Sequence, residues 1–283
     1  MRSTLRDIAV FLDASPAGAA IGRHAARLAA RHHAHLVGVY GVSREEHRHA
    51  AESYARGSDA IREVMARRRK EDERKALEAG RCVGGLAREY GISSELRVVL
   101  SDGPDHGAAL RSLHCDLIVA AHPGQDGAPT LWSAEQLWLA TGIPLLLVPQ
   151  DWSGESIGEK VLIAWNRSRQ ARRAVADALP FIQNASHTTV LVVDGARDPV
   201  HFGDAPGANL VGHLSRHGAQ VELAAVDSQG APVAEVILDQ CVQQGADLLV
   251  IGAYSRSRAT ELLFGGTTRS LLTGTPLPLL VSG

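Results

Sequence analysis

The sequence predicts an α/β protein with two doubly wound domains, each a five-stranded parallel sheet flanked by helices. Three observations support this prediction. Short apolar runs alternate with helix-forming stretches along the 283 residues. The runs are continuously apolar, which is typical of parallel strands buried on both faces. The series of five runs also occurs twice in the same order, and right-handed crossovers then give the doubly wound arrangement.

The first repeat starts with the apolar run 8–13. Ser15-Pro16 then marks a helix start, because proline favours the first helical position. An Ala-rich amphipathic stretch continues to Arg31. The other four predicted strands of this repeat are 35–40, 95–100, 116–121 and 144–148.

The second repeat has the same plan, with Ser168 as the predicted cap of its first helix. Its predicted strands are 161–166, 187–193, 220–226, 247–252 and 278–281. A Gly- and Ser-rich stretch at 150–158 joins the two repeats. We therefore place one domain at residues 1–150 and the other at residues 151–283.

The largest predicted difference between the repeats is the segment 43–89, which is long, charged and free of proline. Arg67 and Glu71 have the i,i+4 spacing of a solvated helix face. The matching segment 195–217 is shorter and begins as a Gly/Pro/Asp loop. We predict a long helix or helical hairpin, with Gly57 and Gly80 as break points, and a surface for a protein partner.

The last strand of each repeat, 144–148 and 278–281, is predicted to lie at a sheet edge. Uncovered apolar edges favour aggregation, so the two strands should be covered. Pairing them with each other gives an intramolecular pseudo-dimer, and pairing with a second copy of the chain gives a homodimer.

Composition excludes several classes of protein. The 29 Lys and Arg against 31 Asp and Glu give a net charge of −2, without the basic excess of a nucleic-acid-binding domain. No apolar run has the length of a membrane span, and the chain start has no signal-peptide pattern. Three cysteines without a CxxC pair do not form a disulfide scaffold. A cytoplasmic protein without nucleic-acid or membrane partners is expected.

Several site motifs are also missing from the sequence. No lysine follows a G-x-x-x-x-G, and no G-x-G-x-x-G follows a first strand. The histidines His33, His35, His47 and His49 lack Cys or carboxylate partners at ligand spacing. We predict no metal site, and a metal-dependent hydrolase is the weakest of the alternatives.

One loop of the second repeat remains as a candidate site. Gly252 ends the fourth predicted strand, and Gly265-Gly266-Thr267-Thr268 opens the last predicted helix. Glycines let a ligand approach the backbone closely, and free N–H groups at a helix start favour phosphate. The alternative is a tight loop before a capped helix.

This loop and the duplicated domain resemble the universal stress protein family, whose ATP-binding members carry G-x-x-G, nine residues, then G-[S/T]. The resemblance implies strand order 3-2-1-4-5, with adenine at the ends of the first two strands and phosphates along the loop. The implied ligand residues are Asn166 for ribose, the Val192 backbone for adenine, and Gly252, Ser255, Gly265, Gly266, Thr267 and Thr268 for phosphates.

Both repeats depart from the family pattern. In the second, Ser255 replaces a glycine, and Asn166, preceded by bulky Trp165, replaces an aspartate. The first keeps the strand-one motif 13–16 but has Leu131-Trp132 in place of the Gly pair. We therefore expect weak binding of ATP or another adenine nucleotide in the second domain only, with at most slow hydrolysis and no catalytic residue. The alternative is a nucleotide-free interaction module in stress signalling.

Overall fold

The computed structural model of the chain describes residues 4–12, 16–43, 58–101, 113–122, 133–195, 205–253 and 266–283. Contacts among the described residues divide them into two compact units. His122 belongs to the second of these units, although the strand just before it belongs to the first.

The first unit contains a parallel sheet whose central strands are buried and apolar, whereas its edge strand carries exposed residues. Its strands are β1 Asp7–Leu12, β2 His35–Ser43, β3 Ser94–Ser101 and β4 Leu117–Ala121. Its helices are α1 Pro16–His32, α2 Ser58–Tyr90 and α3 Ala134–Thr141. The strand order is β3-β2-β1-β4. The central strand β1 pairs in parallel with β2 and β4. Ile8, Ala9 and Val10 of β1 are fully buried, as the continuous apolar run predicts.

The second unit contains the remaining elements. Its strands are β5 Leu145–Val148, β6 Lys160–Ala164, β7 His187–Val193, β8 Val221–Val226, β9 Leu248–Gly252 and β10 Leu279–Ser282. Its helices are α4 Arg169–Asp177, α5 Leu179–Ile182, α6 Ala208–Arg216, α7 Val233–Gln244 and α8 Gly266–Thr273. The strand order β8-β7-β6-β9-β10 is the predicted 3-2-1-4-5 arrangement. The predicted α/β fold class is therefore confirmed.

Strand β5 continues the sheet of the second unit beyond β10. The two strands are antiparallel, with Leu280 opposite Leu146 and Val281 opposite Leu145. All four residues of β5 are buried. The two edge strands that the sequence predicts to cover each other are thus paired. Because of this pairing, the contacts of β5 assign it to the second unit. The domain boundary that we predict from the sequence lies later, at residue 150.

In each repeat, the side chain of one aspartate accepts hydrogen bonds from the backbone at the start of the first strand. Asp116, just before β4, accepts hydrogen bonds from the backbone N–H groups of Arg6 and Asp7, at 2.6 and 3.0 Å. Asp247, just before β9, accepts bonds of 2.9 to 3.0 Å from the N–H groups of residues 158–160. An aspartate at the equivalent position therefore fixes the amino end of the sheet in each repeat.

Helix α2 is the main difference between the repeats, as predicted. It has 33 residues, whereas the matching helix α6 has nine. It continues through Gly80 without a break, while the predicted segment 44–57 lies outside the described residues. On its surface Arg74 forms ion pairs with Glu71 and Glu78, and Leu77 is 57% exposed. Among the described helices, none combines the length and apolarity needed to span a membrane.

Candidate functional site

A cavity of about 340 Å³ lies at the carboxyl edge of the second unit's sheet. It lies where the neighbouring strands β6 and β9 end. From this point the segment after β6 leads to β7 on one side, and the segment after β9 leads to β10 on the other. This is the switch point of a doubly wound sheet, where ligands of such folds bind. The architecture alone therefore selects this cavity as the candidate site.

The cavity brings together most of the residues that the sequence singles out. Asn166, Gly252, Gly266, Thr267 and Thr268 all contribute to its wall. They come from three separate places in the chain: the end of β6, the end of β9 and the start of α8. Two further predicted residues, Ser255 and Gly265, lie outside the described residues.

Asn166 is held by the turn that leads into α4. The backbone N–H of Ser168 donates to its Oδ1 at 3.1 Å. Ser168 is the N-cap of α4, as predicted, and its hydroxyl accepts from the Ala171 N–H at 3.0 Å. Arg167 between them has φ +60°, a left-handed conformation that costs free energy in a non-glycine residue. The turn thus aims a polar amide at the cavity from a fixed backbone.

The two described glycines of the motif have different physical roles. A Cβ on Gly252 would lie 2.3 Å from the backbone N of Ala171 and 2.5 Å from the backbone C of Gln170. This glycine is therefore required for close packing of β9 against α4, with or without a ligand. A Cβ on Gly266 would meet nothing within 4 Å. Packing among the described residues therefore does not require a glycine at this position.

The start of α8 forms the polar side of the cavity. The first N–H groups of a helix have no intrahelical acceptor, and the helix dipole makes this end electropositive. Gly266 and Thr267 are at this start, and Thr268, 9% exposed, adds a second hydroxyl close by. This arrangement suits the oxygens of a phosphate or another anionic group.

The rest of the cavity lining is largely apolar, and the sequence motifs do not predict it. It consists of Leu191 and Val193 of β7, Val233 and Ile237 of α7, and Leu271 of α8. Strand alternation explains why Val192 is absent from the wall. Its side chain is fully buried on the other face, toward Gly195 and Gly207. Only the backbone of Val192 remains for the predicted adenine contact.

Trp165 also lines the cavity, as its position beside Asn166 led us to expect. It is partly exposed, and its backbone N–H donates to the Leu191 carbonyl at 2.8 Å, within the sheet. The indole therefore adds a large aromatic surface to the lining of the site. Such a surface can stack on a planar base or narrow the space available to it.

The described wall contains no carboxylate, imidazole, thiol or amine. The two cysteines with shifted pKa values lie elsewhere: burial raises the pKa of Cys115 and of Cys241 to about 12. Both thiols therefore stay protonated at neutral pH and behave as small apolar groups. Within the described ranges, no group of three or more His, Cys, Asp and Glu side chains could hold a metal ion. His47 and His49 lie outside those ranges.

The matching strand ends of the first repeat carry different residues. Ala121 stands at the position of Gly252, and His122 at that of Ala253. The two backbones are alike here, since His122 donates to Val148 and Ala253 to Ser282, both at 2.7 Å. The side chains are not alike, because an imidazole replaces a methyl group. The motif residues 13–15 and the Leu131-Trp132 pair lie outside the described residues.

Comparison with known proteins agrees with this architecture. Residues 158–282 match the universal stress protein family. A universal stress protein from Archaeoglobus fulgidus DSM 4304 is similar in structure, with a TM-score of 0.69 and 15% identity over 98% of this chain and 97% of that one. A functionally unknown protein from Pseudomonas aeruginosa PAO1 has a TM-score of 0.60 and 17% identity, over 98% and 92%.

At these identities, the structural likeness shows the fold, and it does so over nearly the whole chain. The predicted resemblance to the family is confirmed by the match of the second repeat. No curated protein matches this chain.

Proposed function

We propose that the second unit, whose residues 158–282 match the universal stress protein family, binds an adenine nucleotide in the cavity between β6 and β9. The phosphates would lie at the start of α8, and the ribose beside Asn166. The base would lie against Leu191, Val193 and the Val192 backbone. ATP is the first ligand to test, and the protein would act as a nucleotide-responsive module in stress signalling.

One observation carries this proposal. One cavity is lined by a polar helix start, by apolar side chains and by the amide of Asn166. A nucleotide has three parts that match these three kinds of lining: charged phosphates, a hydroxylated sugar and a flat base. Binding should be weak, because an amide beside the sugar lacks the strength of a charge-assisted hydrogen bond.

Hydrolysis is not part of the proposed function. In-line attack on a phosphate needs a positioned water or hydroxyl and a group that takes up its proton. The described wall has no such base. We therefore expect bound ATP to be released intact or turned over only slowly.

ATP titration by calorimetry tests the proposal directly. The wild-type protein should bind one ATP per chain, in about the micromolar to millimolar range. Gly266→Val should abolish this binding, because the added side chain fills the place where the phosphates approach. It should leave the fold intact, since its Cβ has open space.

Gly212→Val is the matched control. Gly212 lies within α6, and its Cβ would be 3.6 Å from the flexible end of Arg216, an ordinary contact. This variant carries the same substitution in a helix that does not line the cavity, and it should bind ATP like the wild type. Equal binding by Gly266→Val, or no binding by the wild type, would contradict the proposal.

The second candidate function is a nucleotide-free interaction module. It is favoured by α2, whose surface carries the Glu71–Arg74–Glu78 ion pairs beside the exposed Leu77. If the wild type binds no ATP, this helix becomes the first surface to examine for protein partners. Replacing Leu77 by Lys should then weaken partner binding and leave the stability of the chain unchanged.

A further inference from the structure

We infer that His122 is a positioning residue for the cavity, because it holds the far end of the helix whose start forms the polar wall. His122 directly follows β4 and is only 3% exposed. Its Nε2 lies 3.2 Å from the backbone carbonyl oxygen of Leu271, in α8. Since a carbonyl only accepts hydrogen bonds, Nε2 is the donor and carries a proton in this contact.

The carbonyl that His122 reaches is one that the helix cannot satisfy alone. The last four carbonyls of a helix have no N–H ahead of them in the same helix. Leu271 is the third residue from the end of α8, which spans Gly266–Thr273. The imidazole therefore acts as a side-chain cap at the carboxyl end of this helix.

The same residue connects this cap to the cavity. Leu271 accepts the His122 hydrogen bond with its carbonyl, and it also contributes to the cavity wall. Gly266, Thr267 and Thr268 line the cavity one turn earlier in the helix. With only eight residues, α8 is too short to be stable on its own, so its position depends on tertiary contacts. Loss of the cap would therefore loosen the polar wall.

The backbone of His122 provides a rigid base for this contact. Its N–H donates to the Val148 carbonyl at 2.7 Å, which fixes the residue to β5. The equivalent residue of the second repeat, Ala253, makes the same backbone bond to Ser282 but has no ring to extend further. The imidazole is thus an addition to a backbone geometry that both repeats share.

Hydrogen exchange tests this role without any ligand. In His122→Leu, the amides of residues 269–273, which can bond within the helix, should exchange about 3- to 10-fold faster than in the wild type, as expected for loss of one hydrogen bond. His122→Gln should restore slow exchange, because its side-chain amide can donate from nearly the same place as Nε2. Equal exchange in the wild type and His122→Leu, or failure of His122→Gln to restore it, would overturn the inference.

Phe181→Leu controls for a general loss of stability. Phe181 is 1% exposed and packs beneath Gly158, at the amino end of β6, opposite the cavity. Exchange in α8 should stay near the wild-type rate in this variant. A rise as large as that in His122→Leu would show that α8 responds to any core defect, and would overturn the role of His122.

A second readout follows the cavity itself. Trp165 lines the cavity, so its signal in protein labelled with 5-fluorotryptophan, assigned with Trp165→Phe, reports on that wall. The fluorine shift should change in His122→Leu and return in His122→Gln. An unchanged shift in His122→Leu would contradict positioning of the cavity by this residue.

The effect on nucleotide binding rests on the proposed function. If the wild type binds ATP, His122→Leu should weaken the affinity about 3- to 10-fold, and His122→Gln should restore it. If the wild type binds no ATP, the proposed function fails, whereas hydrogen exchange and fluorine shifts still decide the role of His122.

Discussion

At the amino ends of β4 and β9, Asp116 and Asp247 hold the first strand of each repeat in the same way, whereas the carboxyl ends of these strands differ. Gly252 ends β9 and packs directly on a helix backbone, while Ala121 ends β4. The contacts that hold the sheet therefore lie at one edge, and the residues that line the cavity lie at the opposite edge. One edge can therefore change while the other keeps the fold.

The largest expected effect is at the shared amino edge. Asp247→Ala removes the acceptor of three backbone N–H groups and should lower the free energy of unfolding by about 2–4 kcal/mol. Asp116→Ala removes two such bonds and should cost somewhat less. Urea denaturation measures both losses.

The control for these variants is Asp239→Ala, on the exposed side of α7. It should change the free energy of unfolding by less than about 0.5 kcal/mol. If Asp247→Ala is as stable as this control, the hydrogen bonds of the two aspartates do not stabilise the repeats. The similarity of the amino edges would then not contribute to the free energy of unfolding.

The next effect concerns the differing carboxyl edge. Gly252→Ala forces a Cβ into the backbone of α4 and should lower the free energy of unfolding by about 2–3 kcal/mol. Ala121→Gly, the reverse change at the matching position, should cost less than about 1 kcal/mol. Thermal unfolding compares the two. Equal losses of unfolding free energy in the two variants would show that the two strand ends are packed alike. That result would contradict the difference in packing seen in the structure.

This last pair also shows what the sequence could and could not predict. Continuous apolar runs were enough to locate the strands, and the Ser168 side chain was enough to locate the start of α4. The sequence does not predict the role of Gly252, because a glycine at a strand end is equally compatible with close approach of a ligand and with close packing of a helix. Only the position of Ala171 in space distinguishes the two.

Other parts of the site depend on contacts between distant segments. Val233 and Ile237 reach the cavity because α7 packs against β7 and β6, which no local pattern specifies. His122 and Leu271 are 149 residues apart in the chain. In β7, the resemblance implies a contact with the backbone of Val192, and strand alternation turns the side chains of Leu191 and Val193 toward the cavity. Motifs therefore gave the polar side of the site, and topology supplies the apolar side.

Acid should weaken the first unit more than the second. Burial, with Arg31 and His33 nearby, lowers the pKa of His32 from 6.5 to about 4. Between these values the unfolded chain binds the proton and the folded chain does not, so stability falls as pH falls. The matching residue of the second repeat is Asn184, which does not titrate and donates to the Pro180 carbonyl at 2.8 Å.

His32→Asn isolates this effect. From pH 7 to pH 4, the wild type should lose about 1–3 kcal/mol more unfolding free energy than His32→Asn does. Urea denaturation at several pH values measures the difference. Parallel pH curves for the two proteins would rule out His32 as the source of acid sensitivity.

The smallest expected effect concerns the ribose contact that we propose for Asn166. Asn166→Asp keeps an acceptor for the Ser168 N–H and adds a charge beside the proposed ribose. The charge-assisted bond should tighten ATP binding about 3- to 10-fold. Calorimetry measures the change, with Asn184→Asp, away from the cavity, as the control. Weaker binding by Asn166→Asp would place the ribose elsewhere.

The most direct measurement is hydrogen exchange of the wild-type protein with and without saturating ATP. We expect slower exchange at the carboxyl edge of the second unit, in residues 165–168, 252–253 and 266–268. We expect no change at the ends of β1 and β4 in the first unit. Protection at those first-unit strand ends, or none in the second unit, would contradict the claim that only the second repeat keeps a nucleotide site.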